Sequence, residues 1–277
     1  MKKLTKIGAS ALAGSLVAMS AQAGELGVSG TWELTYKSDD KANVGNPFGS
    51  KGNLSFSGSG ETDFGTASWF MFTGDQQGSV SSHSITLDMG DMGTVGFDQG
   101  TGAFGLGTID DKAPTAYEEV WNGTNQTNGD LLDGAAGSGG VFGYKNTVAG
   151  FNVNIEIDPS VTQGDAGDGG NSFTAANTPG SGMNFAITNN TMVEGLDFGV
   201  GYGETDWDLE STSTAPAETT TTAAFATYAF GPVTVGYSNS DHDTGTASSD
   251  TKLTAYNIAY TVSDELSVSY GSEELSV

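Results

Sequence analysis

Residues 26–37 have the sequence Leu-Gly-Val-Ser-Gly-Thr-Trp-Glu-Leu-Thr-Tyr-Lys, in which apolar and polar side chains alternate. Alternation with a period of two places the two kinds of side chain on opposite faces of a β-strand. The stretch therefore predicts a long amphipathic strand. Its apolar face carries Leu26, Val28, Trp32, Leu34 and Tyr36, and its polar face carries Ser29, Thr31, Glu33, Thr35 and Lys37.

The same alternation recurs along the rest of the chain and predicts further strands. Residues 68–73 form an additional candidate strand whose parity is ambiguous, which brings the predicted number of strands to thirteen. The other strands lie around Leu54 and Phe56, Ile85–Met89, Val95 and Phe97, Phe142 and Tyr144, Phe151–Ile157, Met183–Ile187, Leu196–Tyr202, Tyr228 and Phe230, Val233–Tyr237, Tyr256–Tyr260, and Leu266–Tyr270.

The connections between the predicted strands alternate between short and long. The short turns are Glu61–Gly65, Gly90–Gly93, Asn146–Gly150, Asn190–Gly195, Gly231-Pro232 and Ser263–Glu265. The long loops are Ser38–Ser50, Asp75–Ser82, Gly100–Gly139, Pro159–Ser181, Thr205–Thr221 and Asp241–Thr251. Tight turns at one edge and long loops at the other are typical of an antiparallel transmembrane β-barrel. The alternative is a secreted or surface β-sandwich of the adhesin-like binding type, although its core would not tolerate a face so rich in glycine and serine.

The first 23 residues have the pattern of an export signal. Lys2, Lys3 and Lys6 precede an apolar stretch from Ile7 to Met19, which ends in Ala21-Gln22-Ala23. A basic start, a short apolar region and an A-x-A site predict a secretory signal peptide over residues 1–23. Residues 24–277 are then the mature, exported β domain.

Composition excludes several classes of function. The chain has 34 acidic residues against 9 lysines, no arginine, and a formal net charge of −25, which would repel a nucleic acid. The absence of cysteine excludes disulfides and thiolate metal sites. A barrel hydrolase would need a histidine beside a nucleophile or an activated water. His83 and Ser84 have opposite parity and His242 lies between two aspartates, so the sequence predicts no enzyme.

The following segments succeed one another through the mature chain: the mature start Gly24–Gly30, Met89–Phe97, Phe142–Tyr144 followed by Ala149–Val153, and Tyr228–Tyr237. In this order they resemble the general diffusion porins of the Gram-negative outer membrane, in the trimeric form of alphaproteobacteria. The resemblance implies a homotrimer in the outer-membrane lipid bilayer and passive diffusion of small hydrophilic solutes without a cofactor. It also implies a third loop, here residues 100–139, that folds into the pore and narrows it.

The sequence departs from the porin pattern in two ways. Complete porins of this type are expected to have about 16 strands, and bacterial single-chain barrels have even strand numbers. The predicted thirteen strands and the end at Val277, without a terminal aromatic residue, predict a chain that is incomplete at its C-terminus. The missing arginines leave only lysines to oppose the acids of the pore.

The predicted pore residues are mainly acidic. The third loop carries one lysine, Lys112, and six acids: Asp110, Asp111, Glu118, Glu119, Asp130 and Asp133. Strand parity predicts that the following wall residues face the lumen: Glu33, Lys37, Asp98, Lys145, Glu156 and Asp158. Because rings of acidic side chains favour cations, the sequence predicts a cation-preferring channel.

Acidic residues also cluster in other loops. The clusters are Asp165 with Asp168, Asp206 with Asp208 and Glu210, and Asp241 with Asp243. Calcium prefers such oxygen ligands, yet none of the clusters has the spacing of a known calcium loop. Calcium binding and simple solvated charge both remain open for these loops.

Overall fold

The chain folds into antiparallel β-strands. A computed structural model describes residues 25–36, 48–73, 80–110, 112, 114, 140–158, 180–207, 218–244 and 250–276. The strands in these residues are β1 (Glu25–Tyr36), β2 (Phe48–Thr62), β3 (Gly65–Thr73), β4 (Val80–Asp88), β5 (Thr94–Gln99), β6 (Val141–Val148), β7 (Phe151–Asp158), β8 (Gly180–Asn189), β9 (Leu196–Trp207), β10 (Glu218–Phe230), β11 (Val233–Asp243), β12 (Thr251–Ser263) and β13 (Leu266–Ser276). Two short 3-10 helices are also present, at Gly90–Met92 and at Gly105–Ile109. Among these residues no helix has the length and apolar character needed to cross a membrane.

The chain divides into two compact units, Met1–Gly96 and Phe97–Val277. In the first unit β1 pairs with β2, β2 with β3, and β3 with β4, each pair antiparallel. In the second unit the strands from β6 to β13 pair with their neighbours in chain order, again antiparallel. The predicted all-β, antiparallel fold is confirmed.

Each predicted strand is present, but several strands extend further toward the long loops than the sequence predicts. β9 ends at Trp207 and β10 begins at Glu218, inside the predicted loop 205–221. β11 ends at Asp243, so His242 lies in a strand and not in a loop. Near the loops both faces of the strands carry polar side chains. The sequence therefore no longer alternates there, although the backbones of the strands still pair.

The short turns lie where the sequence predicts them. One of the two-residue turns is Ala149-Gly150 between β6 and β7, where both residues have positive φ, 53° and 85°. Positive φ at both central residues is the type I′ geometry, which matches the twist of the flanking strands. Glycine adopts this conformation without steric strain. In Ala149 the Cβ lies too close to the following carbonyl oxygen, which destabilises the turn.

The two faces of the strands differ in character, as the alternation predicts. On β1, Trp32 is 80% exposed and Leu34 is 77% exposed. In the second unit, large apolar side chains that share one strand face are also exposed, including Val200, Ile258 and Tyr270. In each unit, so many exposed apolar side chains on one strand face need a covering other than water.

Candidate channel interior and the start of the third loop

The polar face of the second unit contains a row of glycine and alanine positions on neighbouring strands. Gly143, Ala186, Gly201, Ala223 and Gly236 all have the polar parity of their strands. Their lack of bulk lets another part of the chain approach the sheet closely. That part is the loop start, which we define as residues 100–110.

Asp98, at the end of β5, holds the first turn of the loop start. Its Oδ1 accepts hydrogen bonds from the Thr101 backbone N–H at 3.1 Å and from the Thr101 hydroxyl. Its Oδ2 accepts the Ala103 N–H at 3.0 Å. A buried carboxylate is stabilised by such bonds, and here they also reverse the direction of the chain after the strand.

The 3-10 helix Gly105–Ile109, called the loop helix below, is bonded to the sheet through Asn184 on β8. The Leu106 N–H donates to Asn184 Oδ1 at 2.8 Å, and Asn184 Nδ2 donates to Glu156 Oε1 on β7 at 3.0 Å. Gly105 has a φ of 56°, and a Cβ at this position would overlap the Asn184 amide. Glycine is therefore required at Gly105 for the loop helix to lie this close to the wall.

Apolar contacts complete the attachment of the loop start. Leu106 and Ile109 form a buried cluster with Ala186, Ala223 and Phe225 of the sheet. A Cβ at Gly201 would overlap Leu106 and would lie 2.9 Å from Ile109 Cδ1. Phe104 is fully buried over Gly143, and Pro114 lies over Gly236.

The two described lysines of the second unit's polar surface each lie beside an aromatic ring. Lys145 Nζ is 5.4 Å from the centroid of the Phe104 ring, and Lys112 Nζ is 5.6 Å from that of Phe225. These distances are typical of cation–π contacts. Lys145, predicted as a wall residue, therefore lies close to the loop start.

Three of the predicted wall acids lie on the polar face, as their parity predicts, but they are buried. Asp98 is 2% exposed, Glu156 is 4% exposed and Asp158 is 1% exposed. Asp98 and Asp158 both interact electrostatically with Glu156. The structure thus brings these three acids together, and the bonds of Asp98 and Glu156 show how two of them hold the loop start to the wall.

Of the remaining predicted site residues, two lie within the described part of the chain. Asp110 follows the loop helix and is half-buried, and Glu33 lies at a polar-face position of β1, paired in register with Lys51. Outside the described residues lie Lys37, Asp111, Glu118, Glu119, Asp130 and Asp133. The constricting role of residues 100–139 stays a prediction.

Sequence reasoning missed the residues that receive the loop start. Asn184 belongs to no distinctive sequence motif, and Phe225 is an aromatic residue at a position where the alternation predicts a polar side chain. The alternate glycines Gly199, Gly201 and Gly203 of β9 were the available signal, because a row of glycines on one strand face allows another backbone to approach closely. The sequence alone does not identify the segment that approaches.

The acidic clusters considered for calcium are only partly described. Asp241 lies 3.9 Å from the Lys252 ammonium, and Asp206 lies near the end of β9. No group of three acidic or histidine side chains suited to a metal ion occurs in the described ranges. Asp165, Asp168, Asp208 and Glu210 lie outside those ranges.

Antiparallel strands with an exposed apolar face, and a polar face that holds a folded loop, define a membrane-embedded β protein of the channel class. The sequence model of the family described as Gram-negative porin matches residues 8–275. The chain therefore belongs to the Gram-negative porins, and it is an outer-membrane channel protein. No curated protein sequence matches the chain.

The solved structures that are similar to this chain include two porins and an outer membrane protein. An E1M, A116K mutant of the Rh. blastica porin is 16% identical, with 90% of this chain and 94% of that chain covered and a TM-score of 0.43. A porin refined at 1.8 Å is 15% identical, with 91% and 95% covered and a TM-score of 0.45. A loop L8 deletion mutant of OmpT, an outer membrane protein of Vibrio cholerae, is 14% identical, with 92% and 95% covered and a TM-score of 0.44.

Proposed function

We propose that this porin is a cation-preferring channel for small hydrophilic solutes, and that acids of the polar face and of the third loop set the preference. The main support is the attachment of the loop start to the polar face of the second unit. Acids surround this contact, with Asp98 and Glu156 bonded into it and Asp158 beside them. Only Lys112 and Lys145 oppose them among the described residues of this contact.

The loop acids supply the rest of the proposed preference. The loop start is held on the polar face, and we propose that the acids that follow it in sequence also face the channel interior. They are the predicted constriction residues Asp110, Asp111, Glu118, Glu119, Asp130 and Asp133. Acidic side chains at a narrow point raise the local cation concentration and repel anions.

A reversal-potential measurement tests this proposal. The protein is reconstituted in planar bilayers under a KCl gradient. The sign of the reversal potential should show that potassium permeates the channel more readily than chloride. The preference should be strongest at low ionic strength, where charges are screened least. A reversal potential of zero, or one with the sign expected for a chloride-selective channel, would contradict the proposal.

Two sets of variants locate the charges responsible. Glu118→Gln with Glu119→Gln should reduce the cation preference. The matched control, Asp206→Asn with Asp241→Asn, removes two charges at apolar-parity positions near the loop ends of β9 and β11 and should change the reversal potential little. Equal effects from the two sets would show that net charge, and not the loop, determines selectivity.

We also propose that the protein assembles as a homotrimer. The resemblance to trimeric porins supports this assembly, and the exposed aromatic and aliphatic face of β1, with Trp32, Leu34 and Tyr36, offers apolar area for a contact between subunits. The protein should migrate as a heat-sensitive trimer on mild detergent gels. A monomeric mass after subtraction of detergent, with no cross-linked species, would contradict the proposal.

A further inference from the structure

The strand β3 places two phenylalanines on the polar face of the first unit. The register sets Phe70 between Ser57 of β2 and Ser84 of β4. Phe72 lies next to it on the same face. Apolar rings are unexpected on a face that is otherwise rich in serine. The alternation of residues 68–73 is ambiguous and does not predict which face the Phe70 and Phe72 rings take.

A cavity of about 450 Å³ opens beside Phe70. Serine and threonine hydroxyls form much of its lining, from Ser57, Ser59, Ser68, Ser84 and Thr86, and no charged residue takes part. The volume falls in the range of roughly 300–1,000 Å³ that is common for small-molecule sites. The cavity belongs entirely to the first unit, whereas the buried acids described above belong to the second.

The hydroxyls around this cavity can reach a molecule bound in it. Ser84 is paired with Phe70 through the strand ladder and is only 8% exposed, and its side chain lines the cavity. The Ser57 hydroxyl oxygen lies 2.7 Å from the place that a Cβ of Gly27 would take, so glycine leaves room for it. Hydroxyls that line an open cavity can exchange their hydrogen bonds with water for hydrogen bonds with a bound polar molecule.

The lining selects the chemistry of a ligand. A charged solute would find no opposite charge in the cavity, and a purely apolar solute would leave the hydroxyls unpaired. A sugar ring satisfies both features because its hydroxyls donate and accept hydrogen bonds and its C–H face packs on an aromatic ring. We propose that this cavity is a binding subsite for neutral sugars, with a ring face on Phe70 and hydrogen bonds to Ser57 and Ser84. The proposal rests on the channel function, since solutes that pass through the channel must be able to reach the polar face.

Ion-current recordings with glucose as the probe test the subsite. Glucose added to reconstituted channels in KCl should reduce the current along a saturating curve. Polyethylene glycol of equal hydrodynamic radius has no sugar hydroxyls, and it should give a non-saturating decrease. Phe70→Leu keeps the apolar bulk without the aromatic face and should weaken glucose binding about fivefold or more. Ser84→Ala should weaken glucose binding about threefold, as expected for one hydrogen bond.

Two further variants keep the test independent of folding. Phe70→Tyr retains the ring and should retain saturation, and Met71→Leu alters the opposite face of the same strand and should bind glucose as the wild type does. A wild-type current that falls without saturation, or an unchanged affinity in Phe70→Leu, would overturn the subsite while normal ion conductance still supports the channel. A wild-type protein with no ion conductance would overturn the channel function and the subsite together.

Discussion

Replacing Asn184 with alanine tests how the third loop is held. In the wild type the Asn184 side chain accepts the Leu106 N–H at 2.8 Å and donates to Glu156 at 3.0 Å. Asn184→Ala removes both bonds and leaves a buried N–H and a buried carboxylate without this partner. Each such loss costs about 1–3 kcal/mol, and more where the group is charged.

The apolar contacts of the loop start oppose its release. Burial of Phe104, Leu106 and Ile109 stabilises the attached loop by about 1.5–3 kcal/mol per side chain, as an upper estimate. The variant should therefore keep the loop attached for most of the time, but less firmly. A loss of about 3 kcal/mol raises the population of the detached loop about a hundredfold, since 1.36 kcal/mol corresponds to a factor of ten.

Single-channel recordings and limited proteolysis measure this change. Asn184→Ala should show more open-channel noise, closure at lower voltage and faster cleavage near Phe104. The matched control is Thr188→Ala, which alters the same face of β8 closer to its short turn and should behave as the wild type. If Asn184→Ala shows wild-type noise and protection, the hydrogen bonds of Asn184 do not hold the loop, and the reasoning is refuted.

Gly201→Ala should displace the loop helix, because the new Cβ would overlap Leu106, and its conductance should differ from that of the wild type; an unchanged conductance would contradict the close contact. Ala149→Gly should raise the free energy of unfolding by about 1 kcal/mol, since it relieves a positive φ, and the urea midpoint should rise accordingly; a lowered midpoint would count against the strain. Val28→Arg on the apolar face should cost up to about 2–4 kcal/mol of folding free energy in lipid vesicles, while Ser29→Arg on the polar face should cost little. Equal costs would reject the assignment of faces.

The alternation of residues such as Val28 and Ser29 predicted the strands and their faces because it follows directly from strand geometry. Short turns were predictable for a similar reason, since glycine marks the positive φ values at positions such as Gly150 and Gly231. These features depend on neighbours in sequence, and both were confirmed.

The attachment of the third loop was not predictable in the same way. It depends on contacts between residues far apart in sequence, such as Leu106 with Asn184, and neither residue has a local signature. Parity placed Asp98, Glu156 and Asp158 on the polar face, but it could not show that all three are buried. The sequence therefore indicated the direction of these side chains and not their surroundings.

The central claim is that the polar parity of the strands faces a water-filled channel and the apolar parity faces lipid. The chain has no cysteine, so each introduced cysteine is unique. Leu54→Cys, Ser55→Cys, Phe56→Cys and Ser57→Cys sample four consecutive positions of β2. In lipid vesicles a membrane-impermeant thiol reagent should label positions 55 and 57, and should leave 54 and 56 unreacted. Labelling without alternation, or confined to 54 and 56, would contradict the assignment of the channel interior.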